Sequence, residues 1–193
     1  MGKYNFDEDE TYLLSQSVHK VKNLDELEKI EQYAFFIRSF QLEQGLYKVQ
    51  GFTFNDLVKL HHHLFQDIYT FAGKIRNVQL TKGSTRFCQF QFIESMANEI
   101  FQQLENESDW MTTQIAAKRL AYYKAELNML HPFREGNGRT LRIFIQNLAQ
   151  AKGYIWHYNQ MQKEEYIQAM IESKYNYSKL EQIIYNSLEK LNE

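Results

Sequence analysis

Apolar residues recur at three- and four-residue spacing over most of this chain. After Asn23, leucine, isoleucine, alanine and phenylalanine form one helical stripe that ends before Gly45. The same spacing predicts a helix from Phe54 to about Tyr69. It predicts five more helices over about 91–106, 113–130, 136–152, 162–174 and 178–191. The pattern is therefore typical of a mainly α protein.

Polar residues and glycine mark several of the predicted helix ends. Asn23 is a candidate N-cap, and either Thr53 or Asn55 is suited to cap the next helix. Gly153 is well placed to end the helix that starts near residue 136.

Residues 71–90 interrupt the helical pattern. Gly73 and Gly83 break the stretch, its apolar positions are β-compatible, and residues 81–84 (Thr-Lys-Gly-Ser) resemble a turn. We therefore predict a short β-hairpin here.

Composition supports a single helical domain. The 193 residues include only one proline and 8 glycines, so few helix breakers are present. Residues 1–22 are polar and weakly patterned, and we interpret them as an N-terminal arm on a domain that spans 23–193. We find neither an internal repeat nor a low-complexity linker.

Charge and hydropathy exclude several classes of protein. A net charge of −2 argues against a nucleic-acid-binding or acidic-membrane-binding protein. No apolar run approaches the roughly 20 residues of a membrane span, and the N-terminus lacks the apolar stretch of a signal peptide. We therefore expect a cytoplasmic protein, although an effector exported by an unrecognised signal stays open.

The segment 131–142 reads His-Pro-Phe-Arg-Glu-Gly-Asn-Gly-Arg-Thr-Leu-Arg. Gly136, Asn137 and Gly138 tolerate a turn whose N–H groups converge, and a helix that starts there adds its positive end. This combination predicts an anion site of the kind that binds phosphate. Arg139 and Arg142 lie three residues apart and share a helix face, where only an anion of several charges offsets their repulsion.

Two further side chains complete the predicted chemistry. Glu135 adjoins the glycine turn, and one carboxylate beside phosphates is a usual way to bind Mg²⁺. His131 has an ordinary pKa close to neutral, which suits a general base for a hydroxyl nucleophile. Three consecutive histidines, residues 61–63, point about 100° apart on a helix, so they do not indicate a metal site.

The segment resembles the signature of the Fic family, His-x-Phe-x-(Asp/Glu)-Gly-Asn-Gly-Arg-x-x-Arg, at every fixed position. The resemblance extends to residues 60–76 and to Glu126-Leu127-Asn128, and it covers about residues 23–190. It implies the Fic fold, a mainly α helical bundle with a short β-hairpin flap over the active site. Among Fic proteins, the chain is most similar to bacterial toxins that a separate small antitoxin controls.

The resemblance implies a protein adenylyltransferase that transfers AMP from ATP to a Ser, Thr or Tyr hydroxyl and releases pyrophosphate. His131 would be the base, Glu135 would bind Mg²⁺, and the backbone of residues 136–138 would form the anion hole. Arg139 would contact the β-phosphate, and Arg142 the γ-phosphate.

The flap, about residues 78–88, would pair with the target's backbone as an added strand. The resemblance suggests Lys82, Gly83 and Thr85 as its contacts with the target. In the related Doc branch a lysine replaces the second glycine of Gly-Asn-Gly and the chemistry is phosphorylation. Gly138 therefore favours AMP transfer.

Many Fic proteins carry an inhibitory helix with the pattern (Ser/Thr)-x-x-x-Glu-(Gly/Asn). Here Gln44 follows Ser39 and Glu43 where Gly or Asn is required, and the pair Glu105-Asn106 has Phe101 in place of Ser or Thr. We therefore expect a small antitoxin that supplies the inhibitory glutamate to Arg142.

Two alternatives stay open at this point. The same loop would serve a Fic-type transferase that uses another nucleotide or a phosphocholine donor. The chain would also fit a non-catalytic partner-binding domain, although such a module has no need of His131 and Glu135.

Overall fold

The computed structural model describes residues 6–191, with side chains described from residue 10. Eight α-helices and four short strands lie in this range. The helices are α1 Phe6–Ser15, α2 Leu24–Glu43, α3 Phe54–Phe65, α4 Ile93–Glu105, α5 Thr113–Leu130, α6 Asn137–Ala151, α7 Lys163–Glu172 and α8 Ser178–Asn186. The strands are β1 Thr81–Lys82, β2 Thr85–Arg86, β3 Tyr154–Trp156 and β4 Leu188–Lys190. Across residues 6–191, every helix is too short or too polar to cross a membrane.

The chain divides into two compact units by its internal contacts. The first unit comprises the chain through Ile93 together with Pro132–Thr140. It contains α1–α3, the β1–β2 hairpin and the predicted phosphate loop. Its core is formed by apolar side chains without solvent exposure, among them Leu27, Leu57, Leu60, Leu64, Phe65, Ile68 and Phe133.

The second unit comprises Glu94–His131 and the chain from Leu141 onwards. In it α5 packs against α8, and β3 pairs with β4 in antiparallel register, with Ile155 opposite Glu189. Its fully buried side chains include Leu120, Tyr123, Leu127, Phe144, Tyr154, Leu180 and Ile184.

The expected fold class is confirmed, and so are the ends of several predicted helices. Asn23 accepts a hydrogen bond from the Glu26 N–H at the start of α2. Thr53, rather than Asn55, caps α3 through a reciprocal capping box with Asp56. Gly153 follows α6 with a φ of 82°, as expected for a glycine that ends a helix.

The predicted last helix is wrong beyond Asn186. Ser187 donates its hydroxyl to the carbonyl of Ile183 and accepts a hydrogen bond of 3.1 Å from the Trp156 indole. Its own carbonyl accepts from the His157 N–H at 2.8 Å. These contacts turn the chain into β4, which pairs with β3, a strand that the sequence pattern did not indicate.

The predicted hairpin is confirmed, with shorter strands than the stretch 71–90 suggested. Thr81 lies opposite Arg86 and Lys82 opposite Thr85. The predicted arm, residues 1–22, lies partly outside the described residues, and α1 forms within it. The division at residue 23 therefore stays a prediction.

Candidate active site

The Asn137 side chain closes the loop that precedes α6. Its carbonyl oxygen accepts the Phe133 N–H at 2.9 Å, and its amide donates to the Phe133 carbonyl at 2.7 Å. Asn137 is buried, so both functions of its side chain are used inside the loop. Asn137 can therefore bind an external anion only through its backbone N–H. The other N–H groups of the first helical turn are suited to the same anion.

Gly136 and Gly138 have different structural reasons to be glycine. Gly136 has a φ of 81°, and a Cβ there would overlap the Phe65 ring. A Cβ on Gly138 would meet no atom of the described residues within 4 Å beyond its chain neighbours and the backbone of its own helix. Packing therefore requires Gly136, whereas the open space at Gly138 is what close approach of a ligand requires.

Glu135 adjoins this loop with one carboxylate oxygen already bonded. Its Oε1 accepts the Gly136 N–H at 2.8 Å and lies 3.4 Å from Arg139 Nη2. Its Oε2 has no hydrogen bond to the described part of the chain. Because Mg²⁺ takes one or two carboxylates, with phosphates and waters supplying the rest, this free oxygen fits the predicted metal role.

His61 of α3 binds the backbone of the same loop. Its Nδ1 accepts the Gly73 N–H at 2.9 Å, so its Nε2 carries the proton and donates to the Glu135 carbonyl at 2.9 Å. Burial lowers the pKa of His61 to about 3, and the ring is therefore neutral. The imidazole stacks on Phe133 with 3.8 Å between ring centroids.

The neighbouring histidines also have separate partners. His62 bonds to the Ala72 carbonyl at 3.1 Å and His63 to the Arg38 carbonyl at 3.2 Å. The three rings in this run thus serve three different backbone sites.

His131 ends α5 in a left-handed conformation with φ 47° and ψ 60°. Among the described residues other than glycine, it alone has positive φ, a geometry that costs about 1 kcal/mol. Its Nδ1 lies 2.9 Å from the Asn128 carbonyl, which accepts only, so Nδ1 carries the proton. Nε2 is therefore the nitrogen with the lone pair, as a general base requires.

Arg142 of α6 is half-buried and lies near the buried Lys124 of α5. Its guanidinium stacks over the Tyr158 ring at 4.9 Å, and no carboxylate pairs with it among the described residues. Burial, followed by the charge of Arg142, lowers the pKa of Lys124 to about 7. A half-buried arginine next to a buried lysine is unfavourable unless an anion joins them.

Arg139, the other arginine of the segment, is paired. Its Nη2 forms an ion pair with Glu31 of α2 in addition to the contact with Glu135. The guanidinium also lies over the rings of Phe35 and Phe65.

Arg76 fixes the base of the β1–β2 hairpin. Its guanidinium donates to the carbonyls of Val78 and Cys88, each at 2.6 Å, and its N–H donates to the Pro132 carbonyl at 2.9 Å. The arginine is 4% exposed. The hairpin is thereby bonded to the loop 132–140, while Lys82, Gly83 and Thr85 form its tip.

Comparisons with known proteins agree with this segment. The model of the Fic/DOC family matches residues 51–149, which include the whole segment. The chain belongs to the Fic/DOC family.

Curated Fic relatives are similar over most of the chain. Protein adenylyltransferase VbhT of Bartonella schoenbuchensis is 41% identical over 163 residues, which are 83% of this chain and 34% of VbhT. The "Probable protein adenylyltransferase Fic" of Escherichia coli is 37% identical over 76% of this chain and 74% of that protein. The chain thus spans about a third of VbhT and most of the second relative.

Solved Fic structures share the fold. BepC of Bartonella tribocorum, solved with bound AMPPNP, has a TM-score of 0.80 and 20% identity, over 92% of this chain and 93% of the solved chain. The N-terminal Fic domain of a Bep effector of Bartonella quintana, solved with bound ADP, has a TM-score of 0.81 and 23% identity. That match covers 92% of this chain and 91% of the other.

In this Fic/DOC chain the predicted residues fall in both units. Residues 135–139 and the flap residues belong to the first unit, and His131 and Arg142 to the second. Sequence reasoning assigned no part in the site to Glu31, His61, Arg76 and Lys124. Their contacts join segments that are separate along the chain, and no local pattern signals such contacts.

Proposed function

We propose that this chain is a protein adenylyltransferase that transfers AMP from ATP to a Ser, Thr or Tyr hydroxyl of a target protein. The observation that carries the proposal is His131, whose Nδ1 is bonded to the Asn128 carbonyl directly before the glycine loop. Because Nδ1 carries the proton, Nε2 is the nitrogen that would act as the general base. The start of α6 and the two arginines of the segment suit the binding of phosphates. The names of the curated relatives, which are protein adenylyltransferases, support the same reaction.

The transfer is an in-line displacement at the α-phosphorus. Nε2 of His131 takes the proton of the target hydroxyl, and the hydroxyl oxygen forms a bond to the α-phosphorus. The bond between the α-phosphorus and the bridging oxygen to the β-phosphate breaks, and pyrophosphate leaves with those electrons. Of the three residues expected to form the anion hole, Gly136 donates its N–H to Glu135, so the N–H groups of Asn137 and Gly138 stabilise the developing charge. Arg139 binds the β-phosphate and Arg142 the γ-phosphate.

Mg²⁺ is the metal that the donor set fits best. When bound, it would neutralise part of the negative charge of the phosphates. Glu135 would hold it through the carboxylate oxygen that the loop does not use. Chelation with EDTA should abolish transfer, addition of MgCl₂ should restore it, and Glu135→Ala should need a higher metal concentration.

The hairpin tip is the proposed contact with the target. β1 and β2 form a two-stranded sheet, so each is an edge strand beside which an extended segment of another protein would add as a further strand. Lys82, Gly83 and Thr85 are the residues at which we expect the target to lie. Because the reaction consumes ATP, we place it in the cytoplasm, whether of the producing cell or of a host.

A separate antitoxin is the proposed regulator. Arg142 stacks on Tyr158 and has no carboxylate partner in the described part of the chain, so an external glutamate would find its guanidinium unpaired. The glutamate of a partner helix with the pattern (Ser/Thr)-x-x-x-Glu-(Gly/Asn) would then displace the γ-phosphate from Arg142 and inhibit AMP transfer by the toxin.

The test is labelling of a lysate with α-³²P-ATP, with His131→Ala as the control. A protein band that is labelled by wild type and absent with the variant supports AMP transfer. Label that appears only from γ-³²P-ATP would overturn the proposal in favour of phosphorylation. Competition by unlabelled ATP, but not by CTP, UTP, GTP or CDP-choline, separates adenylyl transfer from transfer of another nucleotide or of phosphocholine.

A further inference from the structure

The guanidinium of Arg139 is held on three sides by the first unit. Its Nη2 forms the ion pair with Glu31 and lies 3.4 Å from Oε1 of Glu135. Its central carbon lies 4.9 Å from the centroid of Phe65 and 5.3 Å from that of Phe35. Cation–π contacts at these distances restrict the rotation of the side chain without using its N–H groups.

Glu31 is itself fixed by a buried donor. The Tyr69 hydroxyl donates to Glu31 Oε2, while Oε1 contacts Arg139. Tyr69 is 2% exposed and stacks on Phe71 at 4.7 Å. Burial, and then the charge of Glu31, raise the pKa of Tyr69 well above its usual value, so the hydroxyl remains a donor at neutral pH.

Both carboxylates contact the same nitrogen of Arg139. The hydrogen bond of the guanidinium to the described residues also comes from Nη2, and Nη1 and Nε have none there, although the guanidinium is oriented. Ordering a long side chain on binding costs free energy, and a side chain that is ordered beforehand avoids that cost. A cation in the first turn of α6 also opposes the helix dipole, so the ion pair with Glu31 keeps Arg139 there before a nucleotide arrives.

We infer that Glu31, on α2 and outside the segment 131–142, is a positioning residue for the phosphate-binding arginine. Glu31 and Tyr69 pin Nη2 so that Nη1 and Nε are presented to the β-phosphate of a nucleotide. The inference rests on the proposed function, because it assumes that Arg139 binds that phosphate. This role of Glu31 differs from that of a competitive inhibitor, since an inhibitory carboxylate would occupy the edge of the Arg139 guanidinium that the phosphate needs.

The test measures ADP and AMP binding to the full chain by calorimetry at fixed MgCl₂. ADP has a β-phosphate and AMP lacks one, so AMP binding controls for general damage. We expect Glu31→Gln and Tyr69→Phe to weaken ADP binding about 3- to 10-fold and to leave AMP binding unchanged. Glu43→Gln, an exposed carboxylate on the same helix, should change neither.

A double-mutant cycle separates positioning from an independent effect. In an Arg139→Ala background, Glu31→Gln should cause no further loss of ADP affinity. Equal or tighter ADP binding by Glu31→Gln, or a parallel loss of AMP binding, would overturn the inference alone. Wild-type protein that binds neither ADP nor ATP would instead overturn the proposed function, and the inference with it.

Discussion

At the scale of single residues, Asn137 and His61 hold the loop 133–137 in place through hydrogen bonds from their side chains to its backbone. Residue types and spacing indicated His131, Glu135 and the two arginines, because those chemistries depend on local neighbours. The sequence did not show that the Asn137 side chain is consumed by Phe133, since that depends on the loop's closed conformation. It also could not indicate His61, which reaches the Glu135 carbonyl from 74 positions away.

The two glycines of the loop provide a matched pair of variants. Gly136→Ala should lower the free energy of unfolding by at least about 2 kcal/mol, because its φ is positive and a Cβ meets Phe65. Gly138→Ala should keep stability within about 0.5 kcal/mol and lower adenylyl transfer at least about 10-fold, because its Cβ enters the proposed phosphate space. Urea unfolding and labelling measure the two effects. A stable Gly136→Ala or a fully active Gly138→Ala would contradict this account.

Because the pKa of Lys124 is lowered, we expect the free energy of unfolding to depend on pH. Its pKa is about 7 in the folded chain, against 10.5 for an unperturbed lysine, so between these values the unfolded chain binds a proton that the folded chain does not. The free energy of unfolding should therefore increase as the pH rises from about 7 to 10. Lys124→Met should be more stable than wild type by roughly 2–4 kcal/mol at pH 7, with little difference near pH 10.

Urea unfolding of both proteins without nucleotide at several pH values measures this difference. Lys118→Met, an exposed lysine on the same helix, should show no pH-dependent difference from wild type. A constant stability difference between Lys124→Met and wild type across the pH range would show that Lys124 is not neutralised by burial.

At the scale of elements, local rules succeeded where a helix or hairpin is determined by its own residues. The capping box at Thr53 and the glycine turn of the hairpin are of this kind. The end of α8 is not, because residues 187–190 have an unremarkable helical pattern and become a strand only through pairing with β3. Strand pairing between segments that are distant along the chain leaves no periodic signal in a stretch of three residues.

The hairpin should depend on Arg76 more than on any residue of its own strands. Arg76→Met leaves the carbonyls of Val78 and Cys88 without their donor, which should lower the free energy of unfolding by about 1–3 kcal/mol. Hydrogen exchange of amides 80–87 should accelerate, and labelling of a protein target should fall more than ADP binding does. Arg86→Met, at an exposed position of β2, is the stability control. Unchanged exchange in Arg76→Met would show that the hairpin is held by other contacts.

At the scale of the whole molecule, the apolar periodicity and the composition were sufficient to predict the fold class, and the family resemblance was sufficient to predict its finer form. One proline and 8 glycines among 193 residues favour helices, and the family match explains why a short hairpin interrupts them. The division of the segment between two contact units had no counterpart in the sequence, because contact units depend on packing rather than on order along the chain. The target and the regulator likewise depend on surfaces whose partners the sequence does not name.

Unfolding of the whole chain should report which phosphate each arginine binds. A ligand stabilises the folded state by about 2.7 kcal/mol at 100 times its Kd, so melting temperatures at equal concentrations of AMP, ADP and ATP with MgCl₂ rank their affinities. The melting temperature of the wild-type protein should rise most with ATP and least with AMP.

Arg142→Ala should give equal melting temperatures with ATP and ADP and should keep the higher melting temperature with ADP than with AMP, because this variant lacks only the γ-phosphate contact. Arg139→Ala should instead remove the advantage of ADP over AMP. If Arg142→Ala lowered all three shifts equally, its role would be to maintain the fold around Tyr158 and Lys124, and the assignment of the γ-phosphate would be wrong.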